Sequence, residues 1–491
     1  MEMRNGLGLT TQETLELAQG LKPGPRLPTS EAAQKAVGLL AANLLYGYPL
    51  EAPSKKLYFI EDTMRRRIPR ILNATGGVAA HWKQITAINS AGIMPGVVEG
   101  AVNTAITFTT AEMSAIYKSL NMYNTYSDES RVFGRKFEDI PAYGMLATLQ
   151  SLMIGEDIDL IGGNQNALGV PTTVVATGAT VTGGSLVFGT AYSVVVSALT
   201  LWGHLNGAAG HGTAEAPNET NATLTGGAHI NVQPGGSNNA FTVTWDDVPG
   251  AFAYNVYIST YATNTPFYYS TVTVNTATIL VNKTSGNVSN TADQTAKTTG
   301  LSGIMEQLTY GAGAGPSATG VYYKSNAGAA PTSDGAGGCT EIETMLTYTW
   351  NHFRISPTVL VLNAQEAKSL KKLTIGTSST NATRIMVTPD GKNEFLAGSA
   401  VNAYWNPYTR QNMEILTSVH TAPGTILALG ESVPYPNSET PNNFEVELQQ
   451  EYYGEMFARV ARSTPIGVTC IGALKCYLPG ACGIIKNLAA A

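Results

Sequence analysis

Hydrophobic and polar positions change their period along this chain. In FEDIPAYGMLATLQSLMIGEDIDLIGGN, from Phe137 to Asn164, Leu146, Leu149, Met153 and Ile161 keep helical spacing, which predicts a helix carrying those side chains. Asp139 can cap it, Pro141 suits its first turn, and Gly162-Gly163 stops it. Roughly twenty residues give ~30 Å, enough to be the spine of a domain. At FTVTWDDVPGAFAYNVYIST, 241–260, the period becomes two. Phe241, Val243 and Trp245 alternate with Thr242 and Thr244; beyond the DDVPG turn, Tyr254, Val256 and Ile258 alternate with Asn255, Tyr257 and Ser259. Two strands, each with one buried face, are predicted, with Trp245, Tyr254 and Val256 in a sandwich core.

The remaining pattern divides the chain. Residues 1–60 read as an arm. Thr10 and Glu13 form a capping box, KPGPRLP breaks the chain, and a second helix follows Ser30 with Val37, Leu40 and Leu44 on one stripe. Residues 61–125 read as an extended excursion and its return, 126–167 as the segment of the spine helix, and 168–300 as an all-β insertion rich in Thr, Val, Asn, Ser and Gly. Over 301–430 the chain returns to mixed α/β: IETMLTYTWNHFRISPTVLVLNAQEAKSLKKL reads helix, turn, buried strand, helix. Residues 431–491 carry a long ribbon that rejoins the core. The expected fold class is α+β with an inserted all-β sandwich.

Length and charge narrow the function. A chain of 491 residues exceeds a single core. Charged residues are only 13% and the net charge is −6, which argues against whole-chain electrostatic binding to nucleic acid and leaves only local contact. The chain opens without an export signal and carries no apolar stretch long enough for a membrane span, so it is expected to be made and folded in a cytoplasm.

Candidate chemistry is sparse. Cys470, Cys476 and Cys482 recur every six residues without the close pairs of a zinc site, so buried free thiols are expected. His81, His204, His211, His229, His352 and His420 are scattered outside any HExxH pair, and GAGAGPSATG at 311–320 lacks the GK[ST] ending of a phosphate loop. The sequons at Asn218, Asn221 and Asn282 follow from Asn/Thr richness. No catalytic site, cofactor or metal is expected. Arg65, Arg66, Arg67 and Arg70 read as a solvated or intersubunit ion-pairing patch in preference to a phosphate site. Glu156, Asp157 and Asp159 oppose the helix dipole and are expected to face water or a neighbouring subunit.

Two resemblances add to this reading. The paired Trp and Tyr strands resemble the start of a fibronectin type III or immunoglobulin-like domain. GTAYSVVVSALTLWG, 189–203, precedes them where such domains place it afterwards, as in a circular permutation. The order of arm, loop around VAAHWKQITAIN, return TFTTAEMSAIYKSLNMYNTYSDES, spine helix ending EDIDLIGGNQNALGV, helix–strand–helix and C-terminal ribbon resembles the major capsid protein of tailed bacteriophages, the Hong Kong 97-type fold. It covers roughly 30–165 and 300–491 and rests on order and pattern; the large sandwich departs from the minimal family.

The resemblance implies a non-enzymatic subunit that self-assembles into hexamers and pentamers of an icosahedral shell around double-stranded DNA. It implies a virion location after assembly in the bacterial host cytoplasm, portal, separate scaffolding and decoration proteins as partners, DNA contact without sequence specificity, and no membrane. The sandwich would project outward, touching glycans, a decoration protein or neither. Some relatives cross-link a loop lysine to an asparagine; Lys83 could be that lysine, but no partner asparagine or assisting acid can be matched, so no bond is predicted. An encapsulin-like nanocompartment and a surface carbohydrate-binding adhesin are the alternatives.

Overall fold

A computed structural model describes residues 62–490 except 74–75, 89–95, 103–107, 135–138, 178–180, 182, 188, 207–227, 233–238, 263–264, 289–292, 294, 296–299, 311–319, 336, 376–402, 434–440 and 460. The arm with Thr10, Glu13, Ser30, Val37, Leu40 and Leu44 lies outside the described residues.

The elements are α1 (Thr63–Arg67), β1 (Arg70–Leu72), β2 (Ala79–Ile88), β3 (Phe108–Ile116), β4 (Lys118–Ser127), α2 (Asp128–Gly134) and α3 (Ile140–Gly162). Next come β5 (Val175–Thr177), β6 (Tyr192–Leu199), α4 (Leu201–Leu205), β7 (Ala228–Val232), β8 (Phe241–Thr244), β9 (Ala253–Thr260), β10 (Phe267–Val272) and β11 (Thr276–Ile279). The last part holds α5 (Ile304–Tyr310), β12 (Tyr322–Ser325), α6 (Thr340–Phe353), β13 (Val359–Leu362), α7 (Ala364–Ile375), β14 (Ala403–Asn406), β15 (Gln411–Thr417), β16 (Ile426–Leu429), β17 (Phe444–Met456), β18 (Ser463–Cys476) and β19 (Gly483–Lys486). The fold is mixed α+β, and among the described residues no helix is long and apolar enough to cross a membrane.

The chain divides into two compact units. In the smaller, which includes Tyr123–Ala147 and Met456–Gly467, Asp128 pairs with Arg459, Glu129 pairs with Arg462 at 2.9 Å, and the Asp128 N–H donates to the Arg462 carbonyl at 3.0 Å.

The larger unit contains the β-sandwich. One sheet has the order β11-β8-β5 and the other β10-β9-β6-β7. Both contribute to a single core: Phe241, Val243 and Ile279 from the first meet Val194, Val196, Tyr254, Val256 and Ile258 from the second. Trp245 and Tyr254 meet edge to face with centroids 5.3 Å apart, the arrangement aromatic quadrupoles favour. Strand β6 is shorter than the 189–203 pattern predicts, because 201–205 coil into α4, which Thr200 caps by accepting from the Gly203 N–H at 3.1 Å.

Alternation misplaces one face of β9. Asn255, Tyr257 and Ser259, expected to be its polar outer side, are fully buried. The Thr271 hydroxyl donates to the side-chain Oδ1 of Asn255 at 2.6 Å, and Tyr257 packs edge to face on Tyr268. A covered polar layer and a solvated one therefore share the same sequence pattern.

A six-stranded mixed sheet, β12-β19-β16-β13-β15-β14, forms a second part of the core, and β17 and β18 add Phe444, Val446, Leu448 and Leu474 to it. Successive β13 side chains alternate sides. Leu360 and Leu362 pack with Ile342, Met345 and Leu346 of α6 and with Leu370 of α7. Val359 and Val361 pack with Ile158, Leu160 and Ile161 of α3 and Ile304 of α5. Strands β2 and β3 make a separate two-stranded ribbon, paired from Ala79↔Ile116 to Ile88↔Phe108 with an irregularity between Ile85 and Ala87. Its base is pinned to the end of β18: the Trp82 indole N–H donates to the Cys476 carbonyl at 2.8 Å, and the Ile85 N–H to the Tyr477 carbonyl at 2.9 Å.

Candidate functional site

The buried end of α3 collects the charged residues singled out in the sequence. Glu156, Asp157 and Asp159 are all almost fully buried, so each carboxylate needs donors to offset lost hydration. Glu156 accepts from Arg65 Nε at 3.2 Å, from Arg70 and from the Tyr452 hydroxyl. Both guanidiniums also lie about one ring-width over Tyr452, at 5.1 and 5.3 Å from its centroid. Burial, then the Glu156 charge, pushes the Tyr452 hydroxyl above its ordinary range, so it remains a donor.

Asp157 serves a second helix. It accepts from the N–H groups of Met64 and Arg65, at 2.8 and 2.9 Å, and from His420 Nδ1 at 2.9 Å. These N–H groups open α1, whose local cap residue Asp62 makes no side-chain capping bond. A carboxylate about ninety residues away thus does the work of a cap at the positive end of that helix. Asp159 accepts from the Trp202 indole N–H at 2.6 Å, tying α3 to α4.

These contacts correct one expectation and add to another. The acidic triplet does not face water; it is internal, because α1 lies against the end of α3. In the basic patch expected to be solvated or to pair across subunits, each arginine has a partner within the chain: Arg65 and Arg70 hold Glu156, Arg66 holds Asp62 at 2.6 Å, and Arg67 holds Glu431 at 2.7 Å and Glu414 at 2.8 Å. Hydrogen bonding to Glu431, then Glu414, raises the Arg67 guanidinium above its already high range. Arg66 is the most exposed of the four.

Leu146, Leu149 and Met153 lie on α3, away from its most buried side. Leu146 is 51% exposed, and Leu149 and Met153 are half-buried. The buried side runs through Thr148, Leu152, Ile158 and Ile161. Trp245, Tyr254 and Val256 sit in the sandwich core.

No group of three or more His, Cys, Asp or Glu among the described residues is arranged to hold a metal. Cys339, Cys470, Cys476 and Cys482 are buried free thiols. Cys339 donates to Glu341 at 3.0 Å, but burial pushes its thiol up to about 12, so it is not a thiolate nucleophile. His352 stacks on Tyr348 and His420 is committed to Asp157. His211, Asn218 and Asn221 lie outside the described residues, as does most of 311–320. Lys83 is exposed on β2 opposite Glu112.

What the molecule presents is surface. Val78 beside the ribbon, Ile116 at its edge, and Val97, Val98 and Val102 between its strands are exposed, Val98 at 80% and Val102 at 96%.

No protein-family model matches the chain, and no curated protein is similar to it. Among solved structures, the capsid of a native GTA particle is 8% identical, with 92% of this chain and 99% of that one covered and a TM-score of 0.44. The Cyanophage A-1(L) capsid asymmetric unit is 10% identical, with 92% and 99% covered and a TM-score of 0.43. The holo-SrpI encapsulin complex from Synechococcus elongatus PCC 7942 is 8% identical, with 93% and 96% covered and a TM-score of 0.35.

Proposed function

We propose that this chain is the major capsid protein of a tailed bacteriophage, self-assembling into hexamers and pentamers of an icosahedral shell that encloses double-stranded DNA. The observation that carries the reading is the β2–β3 ribbon with its exposed valines. A ribbon of two strands is marginal alone, and apolar side chains left this exposed beside it mark a surface for another protein to cover. Copies of the same chain in a closed shell provide that cover. The element order supports the same reading: ribbon β2–β3, long helix α3, helix–strand–helix α6-β13-α7 and long strands β17 and β18 occur in the order of the capsid family. The charge balance of the acidic α3 end within the chain fits a subunit whose scaffold folds before it assembles.

In this reading the protein is structural, not enzymatic, and belongs to the virion. It would assemble in the host cytoplasm with portal and separate scaffolding proteins, contact DNA without sequence preference, and carry the sandwich on the outside as a projection open to a decoration protein or glycans. The exposed Arg66 is the member of the basic cluster best placed for a subunit contact. A nanocompartment shell would use the same surfaces without a genome.

Size-exclusion chromatography and negative-stain microscopy of the expressed chain test the proposal. Closed shells, or rings of five and six, support it. A monomer that stays dispersed when supplied with a scaffold, and binds glycans, refutes it in favour of an adhesin. Nuclease-protected DNA inside particles from infected cells separates a capsid from a cargo shell.

A further inference from the structure

We propose that the buried pair Lys486–Asp247 is an orientation lock that fixes the sandwich at one angle on the six-stranded sheet. The sandwich would then be a rigid part of the subunit and not a tethered knob. This inference does not depend on the shell reading.

Asp247 lies in the β8–β9 turn at the base of the sandwich, and Lys486 ends β19, an inner strand of the sheet. Lys486 is 1% exposed. Its Nζ donates to Asp247 Oδ1 at 3.2 Å and to the Val248 carbonyl at 2.9 Å. Asp247 also accepts from Asn487 Nδ2 at 2.6 Å, from the Tyr254 hydroxyl at 2.8 Å and from the Tyr323 hydroxyl. Donors from β9 on one side and from β12 and the end of β19 on the other therefore converge on one carboxylate. Burial opposes ionisation of Asp247, but the Lys486 charge, then the Tyr323, Tyr254 and Asn487 hydrogen bonds, hold it below the usual carboxylate range.

Direction is the point of this arrangement. Apolar contacts at the same base, such as Leu201 and Phe252 in one cluster with Ile161 and Leu301, tolerate small slides. A buried ion pair does not, since rotation of the sandwich would leave two uncompensated charges in a low-dielectric site. The backbone carries a matching cost: Asn487 sits at φ 56, in the left-handed region, which places its amide between Asp247 and Ser325 Oγ, the latter at 2.9 Å. A second close approach lies at Gly424, φ +83, where an added Cβ would stand 3.1 Å from the Thr273 carbonyl of the β10–β11 turn and 3.1 Å from that of Leu488.

The test uses the full chain and amide hydrogen exchange, comparing Tyr323→Phe, Lys486→Met and the double variant Asp247→Asn/Lys486→Met. The double variant leaves no buried charge, so it separates orientation from charge burial. The lock predicts exchange faster by roughly tenfold or more at 246–252, 273–276 and 484–488, the scale of a lost charged hydrogen bond, while Val194, Val256, Leu360 and Leu427 keep their protection. Tyr323→Phe should give a smaller change at the same places. Unchanged protection of the joint in the double variant overturns the lock and assigns orientation to apolar packing. Loss of protection throughout the chain in the double variant overturns it too, since the pair would then hold up the whole fold.

Discussion

The Gly303 N–H donates to the Gly163 carbonyl at 2.9 Å, so the end of α3 and the start of α5 meet main chain to main chain. No side chain fits there. A Cβ on Gly163 would meet the Leu301 carbonyl and stand 2.6 Å from that of Asp159; one on Gly303 would stand 2.6 Å from the Gly163 nitrogen. Gly163→Ala and Gly303→Ala should each destabilise by about 3 kcal/mol or more, the upper range of overpacking, because backbone cannot move aside as a side chain can. Gly169→Ala, whose Cβ would find only Val248 at 3.9 Å, should be nearly neutral. Urea unfolding of the three variants checks this, and equal midpoints would refute it.

Glu156→Gln tests the charge node. The change keeps shape but removes the charge facing Arg65 and Arg70, whose side chains are 15% and 21% exposed. Breaking a buried pair from one side costs on the order of 3–5 kcal/mol. Partial exposure of both arginines places the expected loss at the lower end, about 3 kcal/mol. A calorimetric scan with an unshifted midpoint would show that the node adds nothing.

What the sequence could and could not reveal follows from distance and degeneracy. Helix α3 was readable because its signals are local: Pro141 at the start and Gly162-Gly163 at the end bracket the Ile140–Gly162 span. Its inner face was not, because apolar residues lie around most of its circumference, so the spacing of Leu146, Leu149 and Met153 describes only one of several stripes. The charge node was invisible because Arg65 and Glu156 are separated by 91 positions, and no local pattern records a contact at that range. Asn255 and Tyr257 show a third limit: alternation tells which residues share a face and leaves open what covers it.

A pH dependence follows from Glu366. Its side chain is buried at the start of α7; one oxygen accepts from the Gly424 N–H at 2.7 Å, while the other has no hydrogen-bond partner. Burial raises its carboxyl from 4.5 to about 7. The folded state thus holds this proton more tightly than the unfolded chain does. The contribution is fully present below about pH 4.5 and is lost as pH rises through about 7. Between pH 5 and 8 the native chain should lose on the order of 2 kcal/mol more stability than Glu366→Gln, which carries no titrating proton. Parallel stability–pH curves for the two proteins would refute the assignment.

The assembly reading makes its sharpest claim at the ribbon. Val97, Val98 and Val102 are exposed at 51%, 80% and 96%, and they lie outside the apolar core clusters. Replacing all three by Ser removes apolar surface that the single chain leaves largely exposed, so its stability should change by less than about 0.5 kcal/mol. In a shell the same side chains would be covered by copies of the chain, and each buried valine contributes roughly 1.5 kcal/mol or more. Because every subunit repeats the contact, small losses multiply around a closed particle. The triple variant should therefore remain folded yet form far fewer closed particles at equal concentration, counted in micrographs beside size-exclusion profiles. Particle yield equal to that of the unsubstituted chain would mean that these valines lie on an outer surface, and the ribbon would lose its place as the carrier of the functional assignment. A variant that unfolds would contradict the burial pattern itself, because side chains so exposed cannot hold up a core.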